Sequence, residues 1–257
     1  MTTPPTYAVY AIRYATVVKR ASENFIGGDP HDGPMPMDYF VWLAKSEAGT
    51  FVVDTGFGAA AAAARKRTLL RTPDEGLRAL GIAADQVSQV VITHLHYDHA
   101  GCLPSFPRAT FHLQEDELAY ATGPLMRHGA LRGAFAVEDV VETVRALYSE
   151  RVKLHRGDRE LAPGLSLHRI GGHTKGLQVV RVWTARGWLV LASDASHYYA
   201  NMEQGRPFPI VLDVGAMLDG HERLRELAQS PAHIIPGHDP AVMTKFPQAG
   251  PNSVKIQ

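Results

Sequence analysis

The chain has 257 residues, 45% hydrophobic and 20% charged, the composition of a soluble globular protein with one substantial core. Lys plus Arg equal Asp plus Glu at 26 against 26, so no net field recruits nucleic acid or an anionic membrane. Cys102 is the only cysteine, which excludes a disulfide framework and a Cys-rich zinc module; with no secretory pattern and no apolar run of spanning length, a cytoplasmic location is expected.

Residues 1–5 are expected to be flexible, and alternation over 7–18 predicts a strand or hairpin arm. Gly and Pro punctuate 21–37 too densely for regular structure, so it reads as loop. Residues 39–44 and 50–53 are β-rich and joined by Glu47-Ala48-Gly49, a hairpin signature. The Ala-rich segment 59–70 reads as a helix, with Arg65, Lys66, Arg67 and Arg71 placed to suit its C-terminal dipole. Thr72 with Pro73 opens a short helix that runs to Leu80 and stops at Gly81.

An apolar strand over 87–93 is followed by a strand over 109–113 and a helix over 115–121. Residues 124–135 read as irregular and 137–148 as helical. Four strands are predicted over 151–155, 165–170, 177–184 and 188–192, then an amphipathic helix over 215–229 and a last strand over 232–235. The tail beyond Pro247 lacks a pattern, and 248–257 is expected to be flexible. Two successive blocks, each mixing hairpins with helical crossovers, predict two mixed sheets packed face to face with helices outside. No repeat or linker divides the chain, so residues 1–257 are expected to form a single domain.

Residues 94–99 read His-Leu-His-Tyr-Asp-His and directly follow the apolar strand over 87–93. His94 and His96 alternate as on an extended segment and can face one ion, while Asp98 and His99 come at a turn and can face a second. Imidazole nitrogens with carboxylate oxygens suit zinc, with iron, manganese or cobalt as alternatives. Three more candidates stand at strand ends: His173 in Gly-Gly-His-Thr, Asp194 after the strand over 188–192, and His238 in Pro-Gly-His-Asp.

In order and spacing, HLHYDH, GGHT, SDAS and PGHD resemble the metallo-β-lactamase superfamily, over nearly the whole chain from Asp54 onward. The resemblance implies an αββα sandwich, class α+β, with a two-metal site at one edge of the sheets. Carried over by position, His94, His96 and His173 bind one metal, Asp98, His99 and His238 the other, and Asp194 bridges them. Asp54 matches a strand-end carboxylate that orients ligand histidines. Flavodiiron-type members carry Glu where His96 stands, and mononuclear iron dioxygenases of this fold use fewer of these ligands.

Within the superfamily the chain looks most like the N-acyl homoserine lactonase branch, on its DASHYY and PGHD contexts and its length. That likeness implies hydrolysis of a lactone, an N-acyl homoserine lactone or a related small one, by a hydroxide bridging two divalent ions. Asp98 would relay the proton to the leaving alkoxide. The position of a Tyr that contacts the substrate carbonyl in that branch is held here by His197; Tyr198, one residue along, is expected to take the role, with His197 or a different substrate as the alternatives. The resemblance also implies a homodimer. The rival readings are an acyclic ester or thioester hydrolase resembling glyoxalase II, which predicts a cationic C-terminal region, and a non-catalytic metal-binding protein. For the pocket walls the sequence offers Phe25, Ile26, Met35, Met37 and Tyr39 in one loop, Leu125, Met126, Leu131 and Phe135 in a second, and Phe208 with Ile210 after Asp194.

Overall fold

Period-two alternation makes the first long strand a partition between two apolar compartments. The protein is seen in a computed structural model that describes residues 3–257; the expectation for Met1 and Thr2 lies outside the described residues. In β1 (Ala8–Val17), Val9 and Ala11 enter one core, while Ile12 and Tyr14 enter the other. The neighbouring β2 (Met37–Ser46) repeats this, with Phe40, Trp42 and Ala44 on one side and Tyr39, Val41 and Leu43 on the other.

The remaining strands are β3 (Gly49–Val53), β4 (Thr68–Leu69), β5 (Gln89–Val91), β6 (Thr110–Gln114), β7 (Val152–His155), β8 (Arg159–Ala162), β9 (Leu165–Arg169), β10 (Gln178–Thr184), β11 (Gly187–Ser193), β12 (Ile234–Pro236), β13 (Gln248–Gly250) and β14 (Ser253–Lys255). Among the described residues they form a nine-stranded sheet, ordered β13-β14-β1-β2-β3-β5-β6-β7 with β4 also on β1, and a five-stranded sheet, ordered β12-β11-β10-β9-β8. Trp42, Val53, Leu167, Val180 and Leu191 share the core between the sheets. Helices Pro73–Ala79 and Val137–Tyr148 lie against the larger sheet, and Val214–Leu227 against β11 of the smaller one. This is the αββα sandwich of class α+β that the sequence led us to expect. Trp42 is 1% exposed, and truncating such a side chain to Ala costs about 3–5 kcal/mol.

Local chemistry sets several boundaries. Thr72 caps its helix in a box with Glu75, whose carboxylate accepts the Thr72 N–H at 2.8 Å. The helix expected over 59–70 ends at Ala64, because Lys66 turns the backbone at φ 54° and Thr68–Leu69 pairs with Ala15 and Thr16 of β1. Sheet pairing there overrides the alanine-driven helix propensity. It also withdraws the dipole explanation for Arg65 and Arg67. The tail expected to be flexible instead adds β13 and β14 to the sheet edge, where Val254 and Ile256 are buried. Strand β8, the helices Tyr199–Gln204 and Val242–Lys245, and short helical turns within residues 124–135 also lay below the sequence signal.

Topology then selects one edge. β3 and β5 run parallel, as do β11 and β12, so Asp54, the 94–99 run, Asp194 and His238 all leave the sheets in a common direction. Asp54 and Ser193 hold left-handed backbone, φ 63° and 45°, a costly conformation for residues other than Gly that marks abrupt strand exits at this edge.

Candidate metal centre

All seven residues expected as ligands are buried and meet at that edge. His173 Nε2 lies 3.2 Å from His94 Nε2 and 2.9 Å from His96 Nδ1, so three ring nitrogens converge. Asp194 stands between this group and the other: its Oδ2 is 3.3 Å from His173 Nε2, and its Oδ1 is 3.0 Å from His238 Nε2 and 3.4 Å from His99 Nε2. Asp98 Oδ2 lies 3.7 Å from both His99 Nε2 and His238 Nε2. One carboxylate thus faces two donor groups, one oxygen toward each.

The outer atoms of these rings are already engaged, which fixes what faces inward. His173 Nδ1 donates to the Ile210 carbonyl at 2.6 Å, and His238 Nδ1 donates to the Asp38 carbonyl at 2.8 Å. A carbonyl can only accept, so each Nδ1 carries the proton in the neutral ring and each Nε2 keeps its lone pair for the centre. Asp54 Oδ2 holds His99 Nδ1 at 2.7 Å, while Thr93 donates its N–H and hydroxyl to the same carboxylate at 2.7 and 2.9 Å.

Burial, reinforced by neighbouring imidazoles, pushes His94 and His96 well below the ordinary histidine range, so both rings are neutral donors at pH 7. Burial opposes charge on His99 as well, but Asp194, Asp54 and Asp98 outweigh it and raise its pKa well above the usual value. His238 is raised through Asp194 in the same way, and Asp194 is held well below the carboxylate range by His238, His99 and His197 against its own burial. Among the described residues, His99 Nε2 and Asp194 Oδ1 are buried without a hydrogen-bond partner although each points at the cluster. Unsatisfied buried donors and acceptors are costly, and this set of imidazoles and carboxylates fits two divalent cations. The ligand atoms within each group lie within 4.8 Å of one another.

The cluster opens into a cavity of about 320 Å³ whose walls include Met37, Tyr39, Tyr97, His197 and Ile210. His197 stacks face to face on Phe208, centroids 3.4 Å apart, and its Nε2 lies 2.9 Å from Asp194 Oδ2. Tyr198 is not part of this wall: its hydroxyl points to the carbonyls of Met35 and Pro36, at 3.4 and 3.2 Å, and its ring is buried in the outer core. Tyr198 is the extended N-cap of the helix starting at Tyr199, and on extended backbone adjacent side chains point to opposite sides, so Tyr198 faces away from the wall that His197 forms.

Of the apolar wall candidates, Met37 lines this cavity, and Phe135 packs edge-on against His96 at 4.5 Å. Met126 and Phe135 line an adjoining apolar cavity of about 600 Å³ that shares Gly133 with the first. Phe208 backs His197 and His173 from behind. Phe25, Ile26 and Met35 lie off the walls: Phe25 is buried beneath the Arg206 guanidinium, Ile26 faces solvent, and Met35 supplies backbone carbonyls.

Tyr39, expected as a wall residue, lines the cavity, and the sequence reading assigned no role to Tyr97 or to a set of cations there. Arg67 Nε donates to the Tyr97 hydroxyl at 3.1 Å, and Tyr97 donates to the Tyr39 hydroxyl at 3.3 Å. Lys19, Arg65 and Arg67 also line the cavity. Tyr97 sits inside the HLHYDH run, and that position alone marked it as a neighbour of the centre. Lys19 carried no local signal, and the arginines stood out in sequence only as cations suited to a helix dipole.

The family model for the metallo-β-lactamase superfamily matches residues 35–238. An N-acyl homoserine lactonase AiiB of Agrobacterium fabrum is 33% identical over 176 residues, 64% of this chain and 61% of the relative, so the match spans about three-fifths of that protein's length. An N-acyl homoserine lactonase of Bacillus cereus is 27% identical over 217 residues, 77% of this chain and 81% of the relative. A crystal structure of a quorum-quenching N-acyl homoserine lactone lactonase is similar with a TM-score of 0.80 at 23% identity, covering 97% of this chain and 98% of that one, and attests the shared fold. By its fold, its converging donors and this match, the chain belongs to the metallo-β-lactamase superfamily.

Proposed function

We propose that the chain is a metal-dependent hydrolase that opens a lactone ring, an N-acyl homoserine lactone or a related small cyclic ester. The observation that carries this reading is Asp194, whose two oxygens face two groups of imidazoles at the wall of an open cavity. A purely structural metal site closes four ligands around one ion and needs no cavity. The names of the relatives, N-acyl homoserine lactonases, support the lactone class.

His94, His96 and His173 would hold one ion, Asp98, His99 and His238 the other, with Asp194 between them and Asp54 orienting His99. Once bound, two divalent ions supply a water-derived nucleophile at neutral pH and polarise the carbonyl. Nitrogen and oxygen donors at this density favour zinc.

The chain's own groups supply the rest. Tyr97, itself accepting from Arg67 Nε, donates to the Tyr39 hydroxyl, which leaves the Tyr39 proton free to donate to the carbonyl oxygen as charge develops there. Tyr39 takes the role first considered for Tyr198. His197 donates from Nε2 to Asp194 and is neutral, its pKa pushed down to about 3 by burial. Its ring therefore steadies Asp194 and forms a flat wall against the substrate. Asp98, at the cavity wall, accepts the proton of the attacking water and delivers it to the leaving alkoxide. The new C–O bond forms at the carbonyl carbon, the ring C–O bond breaks, and a hydroxy acid leaves.

The thioesterase alternative is not favoured. Lys245 lies over the Tyr199 ring at 3.6 Å and Lys255 is the last residue of β14, and neither lines the cavity. Among the described residues no helix is long and apolar enough to cross a membrane. The reading includes action as one domain in the cytoplasm, which suits a chain with a single cysteine, and a homodimer, for which exposed Val137 and Tyr148 offer apolar contact.

The test is elemental analysis of the purified protein, then proton-release assays on lactones, thioesters and phosphodiesters. Two equivalents of metal and ring opening that is lost in a folded His96→Ala variant are expected. A two-metal protein inert toward every lactone would refute the proposal.

A further inference from the structure

The cavity beside the cluster carries more positive charge than a neutral lactone needs. Of its three cations, Arg65 is committed: it donates to the carbonyls of Gly133 and Phe135 at 3.0 and 3.1 Å and lies over the Tyr97 ring at 3.8 Å. Arg67 uses Nε on Tyr97 and one terminal nitrogen on the Arg65 carbonyl at 2.9 Å, and its second terminal nitrogen makes no hydrogen bond among the described residues. The Lys19 ammonium likewise makes no hydrogen bond or ion pair among them.

Both free cations are half-buried; burial lowers the Lys19 pKa, Glu23 partly offsets this, and the charge of Arg67 adds to the lowering. Glu23 acts on Lys19 only through space: its carboxylate caps the Arg20 N–H at 2.8 Å and forms no ion pair with the lysine. Asp98 and Asp194, the carboxylates on the cavity wall, belong to the donor cluster. Two adjacent half-buried cations, each with a free donor and no ion-pair partner among the described residues, are placed to receive a ligand that supplies one.

We propose that Lys19 and Arg67 form a subsite for an anionic group of the substrate, so that the preferred lactone carries a carboxylate away from the bond that is cleaved. This rests on the lactonase reading and narrows it. Arg67 can grip a carboxylate through its free terminal nitrogen and Lys19 can add a second charged donor. Since Arg67 also donates to Tyr97, the anion bound there couples electrostatically to the Tyr97–Tyr39 pair that faces the carbonyl.

The probes are N-succinyl-, N-glutaryl- and N-adipoyl-homoserine lactone, each compared with the same compound bearing a terminal carboxamide. The three tethers sample increasing reach, and each pair differs only in charge. The metal-loaded protein is expected to prefer at least one carboxylate over its carboxamide by about tenfold or more in kcat/KM, expressed in KM and weakened by salt. Lys19→Gln and Arg67→Met should each collapse that ratio toward one; Lys19→Gln removes no hydrogen bond within the protein. Calorimetric binding of the ring-opened forms gives a readout independent of turnover and should show the same preference and the same loss.

If carboxylates and carboxamides are opened equally well at all three lengths, the subsite is wrong and the lactonase reading stands. If no lactone is opened yet the ring-opened carboxylates bind more tightly than the carboxamides through Lys19 and Arg67, the subsite stands and the lactonase reading falls. A preference that persists undiminished in both variants overturns the assignment to these two residues.

Discussion

Glu117 offers the sharpest test of how the ligand loops are spaced. Its carboxylate is fully buried; Oε1 accepts the Leu95 N–H at 2.9 Å and Oε2 accepts the Gly176 N–H at 3.0 Å. Leu95 separates His94 from His96, and Gly176 closes the turn begun at His173, so one side chain sets the relation of three imidazoles. Gly176 permits this approach, because a Cβ there would lie 2.2 Å from the Glu117 nitrogen. Glu117→Gln keeps one acceptor but turns the other oxygen into an amide donor facing an N–H donor. Losing one charge-assisted bond and stranding a buried donor costs about 3 kcal/mol, a Tm decrease of about 6–12 °C for a chain of this size. Shifting the loops should also weaken the metal held by His94, His96 and His173 by about 10–100-fold, and the other metal less. Calorimetry of the metal-free protein gives the first quantity and chelator competition the second. Unchanged Tm together with unchanged affinity for both metals would show that Glu117 does not position the loops.

Asp54→Asn presents an amide in place of the oxygen that holds His99 Nδ1, and affinity at the Asp98, His99, His238 end should fall about 10–100-fold while the other end holds; equal losses at both ends, by metal titration, would argue against this role. Tyr39→Phe should lower kcat about 10–100-fold at nearly constant metal content, whereas Tyr198→Phe should cost about 1 kcal/mol of stability and little turnover; the reverse pattern in steady-state kinetics and melts would restore Tyr198 to the site. His112 stacks on His155, and burial lowers its pKa to about 4, below the unfolded value. The unfolded chain therefore takes up the proton first, so stability present above about pH 6.5 is lost as pH falls toward 4, by up to about 3 kcal/mol. Urea midpoints across that window should fall less steeply for His112→Gln, and parallel slopes would remove His112 as the cause.

Much of this protein was legible from local pattern. The HLHYDH run, and His173, Asp194 and His238 at strand ends, stand out because metal ligands need particular donor atoms and apolar strands announce where they end. Alternation in β1 and β2 likewise declared two buried faces, and Thr72 with Glu75 declared a helix start. Those signals are short-range, so one sequence suffices to carry them. The fate of residues 65–69 was different: an Ala-rich helix and a two-residue strand differ little locally, and pairing with Ala15 and Thr16 decided between them. That pairing brought Arg65 and Arg67 to the cavity beside Lys19, from the far end of β1. Similarly, the choice between His197 and Tyr198 depended on which side chain the helix start turned toward Phe208 and which toward Pro36. Sequence alone determined that metal-ligating groups exist and which they are. Only the tertiary structure decided what surrounds them, since long-range contacts between half-buried polar side chains leave no periodicity to read.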